Sequence, residues 1–140
     1  MLKRILILPM MFVMTLAFAG AGPASASAPQ TKTVVYYFSS CGRCAAHSGA
    51  EGYTRGAIDQ NFAHEIMDGR MEFQSTDTKK KENKHFLKDY GLYTESVVLS
   101  RVADGKEVKF KNLDQIWKFG GREDAFKKYI TDETAAFMGE

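Results

Sequence analysis

The run Thr33-Val34-Val35-Tyr36-Tyr37-Phe38 constrains the fold more than any other part of the sequence. β-branched and aromatic residues over this length specify a buried strand. The strand opens directly onto Ser39-Ser40-Cys41-Gly42-Arg43-Cys44, which holds both cysteines of the chain. A strand that ends in a short polar turn delivers Cys41 to the first turn of a following helix. Unpaired backbone N–H groups and the helix dipole there favour a thiolate over a thiol. In such a pair the outer sulfur ionises below the ordinary thiol range, and the inner one is positioned to resolve a mixed disulfide. Arg43 adds positive charge between them.

A plain stabilising disulfide is the first rival. A bridge from Cys41 to Cys44 closes a very small loop, and chain-entropy stabilisation grows with loop length, so it would staple the remaining chain poorly. A structural zinc site expects four ligands, and no second cysteine pair exists, although His47 could supply a third donor. Haem attachment through a C-x-x-C-H signature is excluded, because Ala45 stands at the histidine position.

The N-terminus reads as an export signal. Lys3 and Arg4 precede an apolar stretch from Ile5 to Ala19, which leads to the small residues Ala24-Ser25-Ala26-Ser27-Ala28. Cleavage is expected after Ala26 or Ala28. The uninterrupted apolar stretch carries Pro9 and falls short of the roughly 20 residues that cross a bilayer comfortably. The expected division is therefore a signal peptide at 1–28 and one domain at 29–140, in a periplasmic or secreted protein with no stable membrane insertion after processing. Of 19 Lys and Arg against 17 Asp and Glu, removal of Lys3 and Arg4 leaves 17 of each sign. A near-neutral chain argues against a nucleic-acid partner. An exported chain meets an oxidising compartment, so a resting disulfide is the default and any reductive activity needs an electron donor.

Further along, apolar positions Ala46, Ala50, Tyr53, Ala57, Ile58, Phe62 and Ile66 approach a 3.6-residue period and predict a helix from about Cys44 to Met67. Gly49, Gly52 and Gly56 fall on nearly one face of it, and close packing on a sheet is the expected reason. Asp68-Gly69 closes the helix, and Met71 to Ser75 alternates as a second strand. Lys79-Lys80-Lys81, with Glu82 and Asn83 adjacent, reads as the solvated start of a helix running to Asp89, with Phe86, Leu87 and Tyr90 inward. Gly91 suits a helix C′ position. Val97–Val102 and Glu107–Phe110 form a hairpin through Asp104-Gly105. Asn112 with Gln115 resembles a capping box for a short helix carrying Leu113, Ile116 and a core Trp117. After Gly120-Gly121 a final amphipathic helix carries Phe126, Tyr129, Ile130 and Phe137.

Strand, helix, strand, helix, hairpin, helix, with a cysteine pair after the first strand, resembles the thioredoxin fold over essentially the whole of 29–140. The resemblance implies a three-layer α/β sandwich, with a mixed four-stranded sheet and helices on both faces. It also implies that Cys41 attacks and Cys44 resolves. The blocks Glu82-Asn83-Lys84-His85-Phe86, Tyr90-Gly91-Leu92-Tyr93, Ser96-Val97-Val98-Leu99 and Lys111-Asn112-Leu113-Asp114-Gln115-Ile116-Trp117 are similar to the small exported family named nitrophenyl compound nitroreductase subunit, ArsF-type. Nitroreduction needs a flavin or comparable carrier, and this chain shows no dinucleotide fingerprint. No cofactor is therefore assigned to the chain itself, and the word subunit permits a reductase partner that holds one. One departure from thioredoxin is expected at Ser96, which stands where thioredoxins place a cis-proline. A cis bond before a non-proline residue costs about 2.5 to 4 kcal/mol, so a trans peptide is expected there.

These readings converge on a thiol–disulfide oxidoreductase that exchanges with protein thiols or an electron-donor redox protein. Two rivals stand beside it. The same thiolates could hold copper, zinc or arsenite, with His47, His64 or His85 as further donors. Alternatively, the chain could be an interaction subunit whose cysteines are merely oxidised.

Overall fold

The computed structural model describes residues 30–40 and 48–140. The expected signal segment, Cys41, Arg43, Cys44 and His47 lie outside the described residues. Strand β1 (Thr31–Ser39) is followed by α1 (Ser48–Asn61), α2 (Ala63–Met67), β2 (Met71–Asp77) and α3 (His85–Asp89). The hairpin strands β3 (Ser96–Ala103) and β4 (Lys106–Leu113) come next, and α4 (Glu123–Gly139) ends the series. Short 3-10 turns occupy Lys81–Asn83 and Asp114–Phe119.

The sheet order is β2-β1-β3-β4. β1 runs parallel to β2, from Thr33 opposite Met71 to Ser39 opposite Asp77. It runs antiparallel to β3, with Phe38 opposite Ser96. The β3–β4 pairing is antiparallel, with a register shift between Arg101 and Val102. The hairpin turn has positive φ at both Asp104 (51°) and Gly105 (76°). That is the backbone a two-residue turn needs to follow the strand twist, and Asp-Gly supplies it.

The architecture is thus α/β, a mixed four-stranded sheet with helices on both sides. Because side chains alternate along β1, Val35 and Tyr37 face one layer and Tyr36 and Phe38 the other. The first face carries the main core, in which Val35, Val97, Leu99 and Leu113 meet Ile58 of α1 and Phe126, Ile130 and Phe137 of α4. Helix α4 buries Phe126, Ile130, Thr134 and Phe137 at helical spacing, and each large apolar side chain contributes roughly 1.5–3 kcal/mol by leaving water. Tyr53 meets Phe126 edge-on at 5.8 Å, joining α1 to α4. On the second face Phe38, Leu92 and Val98 pack with Tyr36, Phe86 and Tyr90. Burial on both sides explains why β1 reads as an unbroken apolar run.

Several local expectations give way. The helix expected to reach Met67 breaks at Phe62 (φ −128°, ψ 25°), and the break turns the Phe62 ring into the main core. The glycine stripe does not seat α1 on the sheet. A Cβ at Gly52 would meet nothing within 4 Å, and one at Gly56 would lie 3.3 Å from Lys127 Cε of α4. The helix expected before Asp89 is a 3-10 turn followed by the short α3, and Leu87 faces outward. Asn112 belongs to β4, and no side chain caps the turn after it. Trp117 is 45 % exposed and stands outside the core, whose place on that turn is filled by Ile116.

Candidate functional site

The ends of β1 and β2 and the start of β3 meet at one edge of the sheet, and Ser39-Ser40 leads from that edge into Cys41. The last residue of β1 is firmly held. Its carbonyl accepts hydrogen bonds from both the backbone N–H of Thr78 (2.9 Å) and the Thr78 hydroxyl (3.0 Å). Thr78 itself is buried. The turn beyond β2 is ordered in the same way: the Asp77 carboxylate accepts from the N–H of Lys79 at 2.9 Å, and Asn83 Nδ2 donates to the Asp77 carbonyl at 2.9 Å.

Beneath this edge lies a buried polar pair. The Tyr37 hydroxyl donates to Glu95 Oε2 at 3.0 Å, and both residues are 1 % exposed. Glu95 immediately precedes β3, so the bond ties the middle strand to the start of its antiparallel neighbour. Burial is the first cause that pushes the Tyr37 hydroxyl well above its ordinary pKa. The negative field of Glu95 and the hydrogen bond to it act in the same direction. Next to Glu95, the hydroxyl of buried Ser96 donates to the Thr94 carbonyl at 3.2 Å. Every described peptide is trans, including the one before Ser96, as expected. Tyr93, fully exposed, and Trp117, half-exposed, stand at this end of the sheet. Tyr93 lies in the loop before β3, and Trp117 in the turn after β4.

The other flank of the sheet has its own polar tie. The Tyr90 hydroxyl donates to Glu107 Oε2 at 2.6 Å, and the Ser100 hydroxyl donates to the same oxygen. Burial and that carboxylate raise the Tyr90 pKa above its ordinary value. The bond fastens α3 to β4 and holds Phe86 and Tyr90 over Phe38, at centroid distances of 5.1 and 5.6 Å.

Of the histidines considered as extra donors, the two described ones, His64 and His85, are engaged elsewhere. His64 sits on α2, which leads into Met71 opposite Thr33, at the far end of β1 from the cysteines, and its Nε2 lies 3.8 Å from Asp68. His85 Nδ1 lies 2.8 Å from Asp89 on the exposed side of α3. Among the described residues no group of three or more His, Cys, Asp or Glu side chains is arranged to hold a metal ion. A groove lined by Lys32, Arg55, Asp59 and Phe73 also lies toward that far end. Its two basic groups are engaged, Lys32 with Glu72 at 2.7 Å and Arg55 over the Phe73 ring at 4.4 Å. Among the described residues no helix is long and apolar enough to cross a membrane.

Sequence reasoning missed Glu95. A glutamate at the mouth of a strand is ordinarily solvated, and only the tertiary pairing with Tyr37 reveals a buried one. No protein-family model matches the chain, and no curated protein matches it.

Proposed function

We propose that this chain is a thioredoxin-like thiol–disulfide oxidoreductase working through Cys41 and Cys44. The observation that carries the proposal is the path of the chain. The central strand of a β2-β1-β3-β4 sheet, parallel to one neighbour and antiparallel to the other, leads straight into the cysteine pair, and α1 follows. Ser39, next to the last described residue of this segment, Ser40, is held at the end of a paired sheet, and rigid support of the preceding strand suits a group that must meet a partner sulfur in line.

In the proposed cycle the Cys41 thiolate attacks one sulfur of a partner disulfide. A Cys41–partner disulfide forms, the partner's own S–S bond breaks, and the leaving sulfur departs as a thiolate that takes a proton from solvent. Cys44, deprotonated, then attacks Cys41. The partner leaves as a dithiol, and the pair closes to a disulfide, oxidised by two electrons. Run backwards, the same steps oxidise a partner dithiol. A protein dithiol acting as electron donor returns the pair to its reduced form. The exchange needs no cofactor of its own, and a reductase subunit could serve as that donor. The proposed setting is periplasmic or secreted, after removal of residues 1–28.

The test is an equilibrium titration of the purified protein in glutathione redox buffers, quenched by thiol alkylation. A reduction potential above about −300 mV is expected for an exchanging pair. A potential well below that value would identify an inert structural disulfide and defeat the proposal.

A further inference from the structure

We propose that the surface beside the cysteine pair docks a protein partner whose own cysteines are flanked by acidic residues. Lys79, Lys80, Lys81, Lys84 and Lys88 supply the attraction. This inference rests on the exchange reading above and names the partner chemistry of that same site.

The placement comes from the sheet. Asp77 ends β2 opposite Ser39, and Thr78 is bonded through its N–H and its hydroxyl to the Ser39 carbonyl. Lys79, Lys80 and Lys81 therefore leave the fold at the same edge from which Ser40 leads into Cys41. Lys84 and Lys88 continue the basic surface along α3, and all five side chains are exposed.

Most lysines elsewhere are paired with a carboxylate, Lys106 and Lys118 being the exceptions among the described residues. Lys32 pairs with Glu72, Lys109 with Glu140, Lys111 with Glu133, Lys127 with Glu123 and Lys128 with Asp132. Among the described residues, none of the five lysines beside the site has a carboxylate within 4.0 Å. In the same segment Asp77 faces the Lys79 N–H and Asp89 faces His85, so neither is paired with a lysine, and the three acids Asp77, Glu82 and Asp89 against the five lysines leave a local excess of two positive charges. The unneutralised charge is therefore local, in a chain whose residues 29–140 carry equal numbers of each sign. A field of this kind beside a reacting sulfur raises the encounter rate of anionic partners and lowers that of cationic ones.

The test uses the purified protein, pre-reduced, and three peptide disulfides of equal length whose cysteines are flanked by acidic, neutral or basic residues. Exchange is followed by rapid quench and alkylation. At low ionic strength the acidic peptide is expected to react about 10-fold or more faster than the basic one, with the neutral peptide between. In about 0.5 M salt, where screening acts within several ångströms, the ratio should fall toward one. A variant with all five lysines changed to serine should lose the ordering, and a variant with all five changed to glutamate should reverse it. Circular dichroism and the denaturant midpoint establish that both remain folded. Equal rates for the three peptides at low salt would overturn the proposal while leaving exchange intact. An acidic preference that survives in the serine variant would also overturn it, moving the effect to Arg43 or elsewhere. Binding of the parent to anionic lipid vesicles, lost in the serine variant and unaccompanied by peptide discrimination, would reassign the surface to a membrane. Failure to react with any of the three peptides would remove the exchange reading and this inference together.

Discussion

Tyr37→Phe isolates one atom at the heart of the site. The ring stays and fills the same space, so no cavity opens. What is lost is the hydroxyl that donates to Glu95 Oε2 at 3.0 Å between two residues that are each 1 % exposed. A net intramolecular hydrogen bond is worth about 0.5–1.5 kcal/mol, and one to a charged group about 1.5–3 kcal/mol. The expected loss is therefore about 1–3 kcal/mol at pH 7. With a urea dependence of about 1–3 kcal/mol per molar, the denaturation midpoint should fall by roughly 1 M. A pH series gives a second, independent reading. The Tyr37 hydroxyl is held above its ordinary pKa by burial and by Glu95, so the unfolded chain loses that proton first as the pH passes about 10. Its contribution is complete below pH 10 and declines above it, by up to about 1.4 kcal/mol per pH unit for one group. The gap between parent and variant should narrow accordingly. Tyr36, Tyr90 and Tyr129 are shifted in the same direction, so some alkaline loss persists in the variant. Urea titrations followed by far-ultraviolet circular dichroism from pH 7 to 11 would measure both effects. Equal midpoints at pH 7, or a gap that does not change above pH 10, would refute the reasoning.

Phe126→Ala should cost about 3–5 kcal/mol, since Phe126 is 3 % exposed and its ring supports the α1–α4 contact. Half-exposed Trp117→Ala should cost distinctly less, and chemical denaturation of the pair would reverse this ranking if the core were placed wrongly. Gly105→Ala, at φ 76°, should destabilise the hairpin by about 1 kcal/mol or more, measurable as a lowered thermal midpoint. Cys44→Ser should accumulate mixed disulfides at Cys41 while Cys41→Ser does not, as read by non-reducing electrophoresis and mass spectrometry. Equal capture by both variants would contradict an ordered attack and resolution.

The parts of the fold that could be read from sequence were those written in local chemistry. The apolar run of β1, the Asp104-Gly105 turn and the stripe of Phe126, Ile130 and Phe137 each declare their element through spacing or backbone demand, and the structure places all three as expected. What escaped depends on contacts distant in sequence. Trp117 and Ile116 are neighbours on a short turn, and hydrophobicity favours the larger ring for the core. The tertiary geometry buries Ile116 and leaves the indole half in water. Phe62 breaks a helical pattern that is otherwise continuous, because its ring is drawn into the core. Glu95 could not be told from a solvated glutamate until Tyr37, 58 residues earlier, was seen beside it. The cysteines themselves are legible only as a sequence pattern following β1.

The central position of β1 has a consequence for the growing chain. Synthesis proceeds from the N-terminus, so this strand emerges first, while the strands on either side of it lie at 71–77 and 96–103 and the helix that covers much of its inner face begins only at Glu123. Until they arrive, Val34-Val35-Tyr36-Tyr37-Phe38 is uncharged, free of proline, strongly β-prone and open at both edges, a composition that templates aggregation. Lys32 is the only charge between Thr31 and Ser40 that guards it. A chain interrupted before β3 keeps the sticky centre of the sheet and loses what shields it, so truncated products should be insoluble even though the finished domain buries Val34, Val35, Tyr37 and Phe38 and half-buries Tyr36.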